Sequence, residues 1–535
     1  MKRRTFLQGA LGAAAVTPVL LDKIYALPSS PLHLLAQLDA SNDKILIFVQ
    51  MFGGNDGLNT VVPADDPQYY VLRDPTNGIG ILKQNLYNYG NGYLNPGLAR
   101  AGGNGQTGFA GMLGVGTLAI IQGIGYDNPN LSHFRSTDIW LSGINDSNAQ
   151  DVLDTGWLGR FLERQYPNFP NSLPADPLAI NFGGFSLALT SEKGRMGIEV
   201  ANPSLQAGGL SAANDTLDDQ ATGTRYATEY AFVQDIANRS NIYAQRVKDA
   251  YTAGKAKLKG AYGSDSFSQQ MASVAALIAG GLDTRIYYVS LGGFDTHVSQ
   301  ASPGGTGQGA HSNLLHSLSD AVAQFQYDLL QLDAAGMDVS KRVVGMTMSE
   351  FGRRPQENAS YGTDHGAASV QFVFGAAVAS AVFGQTPDLS HLDANGDLAW
   401  QIDYRTVYAA VLTDWFGLSL DDTRTVMKDS TLEPFPGLFK PQAGVAKSNT
   451  LPLSLAVYPN PLPATGTIAF DLPRNAYVKI EMTSMDGRIV QLITEQPFIA
   501  GSYALPIAAN VPTGAYVLSM RAGDAQVTRM VTVIK

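Results

Sequence analysis

No cysteine occurs in the chain, which excludes disulfides, thiolate nucleophiles and cysteine-type zinc sites. Any metal must therefore be held by Asp, Glu, His, main-chain oxygen or water. Charged side chains are sparse at 15%, and their balance is acidic, a formal net charge of -10. Nucleic acid and anionic membrane surfaces both call for a basic face, so neither is an expected partner. After the N-terminus no apolar run is long enough to span a membrane, so the mature protein is read as having no transmembrane segment. Glycine, in contrast, is abundant at 56 residues, and the hydrophobic fraction of 45% suffices for a sizeable core. A length of 535 residues implies two or more domains.

The ends of the chain are distinctive. Lys2, Arg3 and Arg4 precede a short apolar run from Gly9 to Leu21, which is the layout of a signal peptide and too short for a spanning helix. Residues 1–28 are assigned to it, with the mature protein beginning near Ala26 to Ser30. The Arg3-Arg4 pair followed by Phe6 and Leu7 resembles a twin-arginine signal. Lys2 and Gln8 depart from the usual flanks, and a general secretory signal is the alternative.

Four short β-rich apolar runs occupy residues 43–50, 117–122, 285–291 and 342–348, each ending in turn residues. Helical spacing links Leu314, Leu315, Leu318, Val322, Phe325 and Leu329, and residues 226–249 and 266–280 also read as helices. Strands alternating with helices predict an α/β domain over 43–440, with a mostly parallel sheet flanked by helices. Residues 441–452 read as a linker. Short, evenly spaced strands then predict a small all-β sandwich over 453–535.

Ligands of such sheets bind at the carboxyl ends of the strands. Those ends carry Asp56, Asp295, His297 and Glu350, and His365 follows in the segment Gly362 to Gly366. Carboxylates and imidazoles gathered at one sheet edge need a neutralising charge, which a divalent cation supplies. These five residues are the expected ligands of one or two ions, zinc or manganese. Each piece has a plainer reading by itself. Gly53 to Gly57 is a turn, Asp295 to His297 is structural, and Glu350 with Arg353 is an ion pair. His311 and His316 are expected to be surface or packing residues.

Taken in order, the segments 53–57, 132–134, 156–160, 292–297, 349–353 and 362–366 resemble the bacterial family called domain of unknown function 1501. The likeness spans about 43–420. The resemblance implies an alkaline phosphatase-like fold, in the superfamily of sulfatases and cofactor-independent phosphoglycerate mutases. It implies that Asp56 is the first metal-binding acid, that Asp295 and His297 are ligands, and that His365 is the last metal histidine. Glu350 stands where an Asp-His pair is usual, which puts a second metal in question, and Ser132 lies near the place of the nucleophile. A formylglycine sulfatase is not expected, because no Cys-x-Pro-Ser-Arg motif or serine version is present. Tyr458 to Pro461, Met485 to Arg488, Gly514 to Val517 and Val531 to Lys535 resemble a type A sorting domain of the type IX secretion system. That implies contact with the export and secretion machinery, passage through periplasm and outer membrane, and secretion or a cell-surface position.

The expected function is an exported metal-dependent hydrolase of phosphate or sulfate esters, acting on a small-molecule or glycan ester. In it the metal activates Ser132 or a water, and Arg135 or Arg353 stabilises developing charge. The alternative is a non-catalytic surface binding or structural protein on a degenerate hydrolase scaffold. A third reading, structural calcium in the acidic loops, is disfavoured by the histidines.

Overall fold

The computed structural model describes residues 43–148, 151–184, 186–204, 243–440, 454–472, 476–485, 487–498, 501–522 and 525–534. The assigned signal peptide, the 441–452 linker and most of the helix expected at 226–249 lie outside these residues; 243–255 are helical. Two compact units are present, Met1–Lys440 and Pro441–Lys535.

Among the described residues, the central sheet of the first unit has nine strands. They are β1 (Ile45–Phe52), β2 (Leu118–Gly125), β3 (Ala179–Asn181), β4 (Ile198–Glu199), β5 (Ile286–Gly292), β6 (Val343–Met348), β9 (Ser369–Phe374), β10 (Val382–Phe383) and β11 (Ile402–Asp403). A separate hairpin, β7 (Gly352–Glu357) and β8 (Thr363–Gly366), leads from β6 into β9. The spatial order is β10-β2-β9-β6-β1-β5-β3-β4, with β11 beside β2. β1 pairs in parallel with both β5 and β6, and β5 with β3. β9 runs antiparallel to β6 and β2, so the sheet is mixed and mostly parallel.

β1 shows why these runs are strands. Successive side chains point to opposite faces, and both faces are covered. Ile45, Ile47, Val49 and Met51 enter one apolar cluster, while Leu46 and Phe48 enter the other. The first cluster packs under α3 (Ser266–Ala279) and α4 (Ala310–Ala334). The second packs under α1 (His133–Ser142), α2 (Trp157–Gln165) and α5 (Tyr404–Ala410). On α4 the buried set includes Leu315, Leu318, Val322, Phe325 and Leu329, the stripe set by helical spacing. Each such side chain contributes about 1.5–3 kcal/mol on burial.

The second unit is antiparallel. β12 (Ser454–Tyr458), β13 (Thr465–Leu472) and β16 (Gly501–Ala508) form one sheet in the order β12-β13-β16. β14 (Ala476–Ser484), β15 (Ile489–Phe498), β17 (Gly514–Ala522) and β18 (Ala525–Val533) form the other, in the order β15-β14-β17-β18. Ile468 and Phe470 of the first sheet share one core with Ile480, Met482, Leu518 and Met520 of the second. Among the described residues no helix is long and apolar enough to cross a membrane.

Candidate functional site

The loops after β1, β5 and β6 meet the N-terminus of α1 and the β7–β8 hairpin at the carboxyl edge of the sheet. Two glycines allow the approach. Gly53 has φ 125, and a Cβ there would lie 2.2 Å from the Asp295 main-chain nitrogen. A Cβ on Gly362 would lie 2.2 Å from the His297 carbonyl oxygen. Only a residue without a side chain lets these backbones pack so closely.

His133, Asp295 and His365 each offer one ligand atom, and these atoms lie within 4.8 Å of one another. Asp295 is the hub. His133 Nε2 is 3.5 Å from its Oδ2, and His365 Nε2 is 3.5 Å from its Oδ1. His297 Nε2 is 3.2 Å from Asp295 Oδ1 and 3.0 Å from His365 Nε2. Asp295 is exposed and the three imidazoles are half-buried, so the group opens to solvent.

The far nitrogen of each ring has an oxygen partner that can only accept. His365 Nδ1 lies 2.9 Å from the Leu131 carbonyl, His133 Nδ1 lies 2.9 Å from Glu350 Oε1, and His297 Nδ1 lies 3.2 Å from Asp364 Oδ1. Carbonyls and ionised carboxylates do not donate, so Nδ1 carries the proton in each neutral ring and Nε2 presents its lone pair inward. The lone pairs of His297 and His365 then face each other at 3.0 Å, an arrangement that calls for a proton or cation between them. The Glu350 hydrogen bond raises the His133 pKa against an opposing effect of burial, and the charges of Glu350 and Asp295 add to the rise. Burial lowers that of His365, which favours the neutral, ligating form. Partial desolvation of Asp295 is outweighed by the hydrogen bond and charge of Arg353 and by the neighbouring histidines, so its carboxyl stays below the usual range.

Zinc–nitrogen bonds of 2.0–2.1 Å in a tetrahedral shell place neighbouring donors about 3.3 Å apart. His133 and His365 each lie 3.5 Å from an Asp295 oxygen, close to that edge length. His133, Asp295 and His365, two imidazoles and one carboxylate, form a possible metal-binding triad.

The structure brings together three of the five residues named from sequence as ligands: Asp295, His297 and His365. Glu350 is adjacent but fully buried, and its Oε1 accepts from Gly53 N–H at 2.8 Å as well as from His133. Asp56 faces elsewhere. Its Oδ2 pairs with Arg73 at 2.6 Å and accepts from Gln300 at 2.5 Å, and its Oδ1 caps the turn at Asn59. Ser132 is exposed, immediately before His133, and its hydroxyl makes no capping bond to α1. Arg135 is turned toward the Asp146 and Asp151 carbonyls, at 2.8 Å each. Arg353 is buried against the carbonyls of Gly53, Gly54, Phe294 and Thr363, and it holds Asp295 Oδ1 at 2.7 Å. His133 and Asp364 were not among the sequence expectations. Both lie inside the motifs, His133 one residue after Ser132 and Asp364 one before His365, and that adjacency was the available signal.

Comparison with known proteins agrees on two regions. A family model described as "Protein of unknown function (DUF1501)" matches residues 122–429. One described as "Secretion system C-terminal sorting domain" matches residues 456–535. The sorting domain implies a protein that is secreted or held at the cell surface. No curated protein matches the chain. Among solved structures, a Bacteroides thetaiotaomicron sulfatase chain, titled for metabolism of multiple glycosaminoglycans, aligns at 9% identity and TM-score 0.34. That alignment covers 91% of this chain and 88% of the other.

Proposed function

The chain belongs to the DUF1501 family, whose function is unknown, and from its cluster of side chains we propose an exported, metal-dependent hydrolase of phosphate or sulfate esters. The observation that carries the reading is the convergence of three Nε2 lone pairs on the Asp295 carboxylate. His133, His297, His365 and Asp295 hold one divalent cation, zinc or manganese. When bound, that ion polarises an ester oxygen and lowers the pKa of a nearby hydroxyl or water. Ser132 is the candidate nucleophile, exposed and next to a ligand. Arg353 fixes Asp295, and Arg135 fixes the loop that follows α1.

The choice of phosphate or sulfate esters rests on the motif order, which is similar to the alkaline phosphatase-like superfamily, and on the site's position at the strand ends. The substrate is a small-molecule or glycan ester. Export follows the N-terminal signal, of twin-arginine type, across the inner membrane to the periplasm. That route carries folded protein and suits a metal loaded beforehand. The sorting domain then engages the type IX machinery at the outer membrane. A second reading, a non-catalytic binding protein on a degenerate scaffold, draws support from the two arginines, both committed inside the protein.

The test is turnover of aryl phosphates and aryl sulfates by purified protein with added zinc or manganese, beside the His133→Ala and His365→Ala variants. Hydrolysis lost in both variants supports the proposal. Bound metal with no turnover of either ester class favours the binding reading, and absence of both metal and turnover overturns the metal reading.

A further inference from the structure

We propose that Glu350 is a positioning residue that acts on the metal centre through His133, and that it is not a ligand. The inference rests on the metal reading above and concerns how that centre is tuned.

Glu350 follows β6 and is fully buried. Its fixed partners converge on one oxygen, Oε1, which accepts from the Gly53 N–H at 2.8 Å and from His133 Nδ1 at 2.9 Å. Its other oxygen, Oε2, is buried and has no hydrogen-bond partner among the described residues. The main chain of Glu350 is held in turn, since its carbonyl accepts from the Ser136 hydroxyl on α1, the helix that carries His133. The residue is thus tied twice to α1, once at the ring and once one turn further along. The ring is also flanked by Phe52, stacked at 5.8 Å between centroids, and by Phe351 at 4.9 Å.

A buried carboxylate hydrogen-bonded to Nδ1–H fixes the tautomer, the ring orientation and the basicity of a ligating imidazole, and its loss typically weakens metal affinity 10–100-fold. Keeping a carboxylate buried with one oxygen unpartnered is costly. The arrangement is explained by what the charge does to His133. Asp364 at His297 and the Leu131 carbonyl at His365 do the same for the other two rings, but neither acceptor is a buried charge.

The experiment is a double-mutant cycle on zinc affinity in the full-length protein, measured by competition with a chromophoric chelator. Glu350→Gln should weaken zinc binding 10–100-fold in the wild-type background and less than about twofold in a His133→Ala background. Equal losses in both backgrounds would show that Glu350 contacts the metal or acts independently of His133, and would overturn the proposal. A wild-type protein that binds no zinc would instead remove the metal reading itself. Long-range proton–nitrogen NMR of the wild-type zinc-loaded protein supplies a check that needs no variant. His133 should carry its proton on Nδ1, in slow exchange. A proton on Nε2 contradicts the proposal even if Glu350→Gln does not fold.

Discussion

Asp56→Asn separates two roles that the sequence alone left together. In the structure Asp56 and Arg73 form an ion pair of 2.6 Å in which both side chains are wholly buried. Arg73 also donates to Asn59 Oδ1 at 2.8 Å, to the Pro355 carbonyl at 2.9 Å and to the Arg354 carbonyl at 3.0 Å. Removing the carboxylate charge leaves a guanidinium buried among neutral oxygens. Breaking a buried pair from one side costs about 3–5 kcal/mol. In a unit of this size the urea slope exceeds that of the steepest small proteins, about 3 kcal/mol/M, so the unfolding midpoint falls by about 1 M. The assay is urea unfolding followed by tryptophan fluorescence, with zinc content measured on the folded protein. A lowered midpoint and unchanged zinc stoichiometry are expected. An unchanged midpoint with loss of zinc would instead place Asp56 among the ligands. Replacing both partners by apolar residues, Asp56→Leu with Arg73→Met, should recover part of the loss.

Three further outcomes follow from the same geometry. Gly53→Ala, which meets the Asp295 backbone at 2.2 Å and strains a φ of 125, should lower zinc affinity at least tenfold, measured by chelator competition. His311 is buried beside Asp56, Arg73 and Arg353, and burial pushes its pKa down to about 4. The unfolded chain therefore binds that proton more readily, so stability is full above about pH 6.5 and falls as pH drops toward 4, by about 3 kcal/mol. The acid limb of stability against pH, read by urea unfolding, should flatten in His311→Gln. Finally, zinc at 100 times its dissociation constant should stabilise the protein by about 2.7 kcal/mol, and a chelator should reverse the gain, read by thermal unfolding.

The strands that build the site were legible because each is an apolar run closed by glycine or a polar turn, as at β1, β5 and β6. The direction of β9 was not legible. Its run is buried on both faces, and such a run reads the same whichever way it pairs. Strand ends picked out Asp295, His297 and Glu350 along the chain without showing where their side chains point. Asp56 is the clearest instance. It follows a strand like Asp295 does, yet it caps a short turn and faces Arg73, a residue outside every periodic segment. His133 was hidden by the neighbouring Ser132, because one step along the start of a helix decides which side chain faces the loops. Glu350 and His133 are 217 residues apart, and only the folded sheet makes them partners.

Anomalous diffraction at the zinc edge from crystals of the zinc-loaded protein would show whether His133, His297, His365 and Asp295 share one ion. One peak is expected, about 2.0–2.2 Å from the Nε2 atoms of His133, His297 and His365 and from an Asp295 oxygen. A peak beside Asp56 or no peak among these four side chains would contradict it.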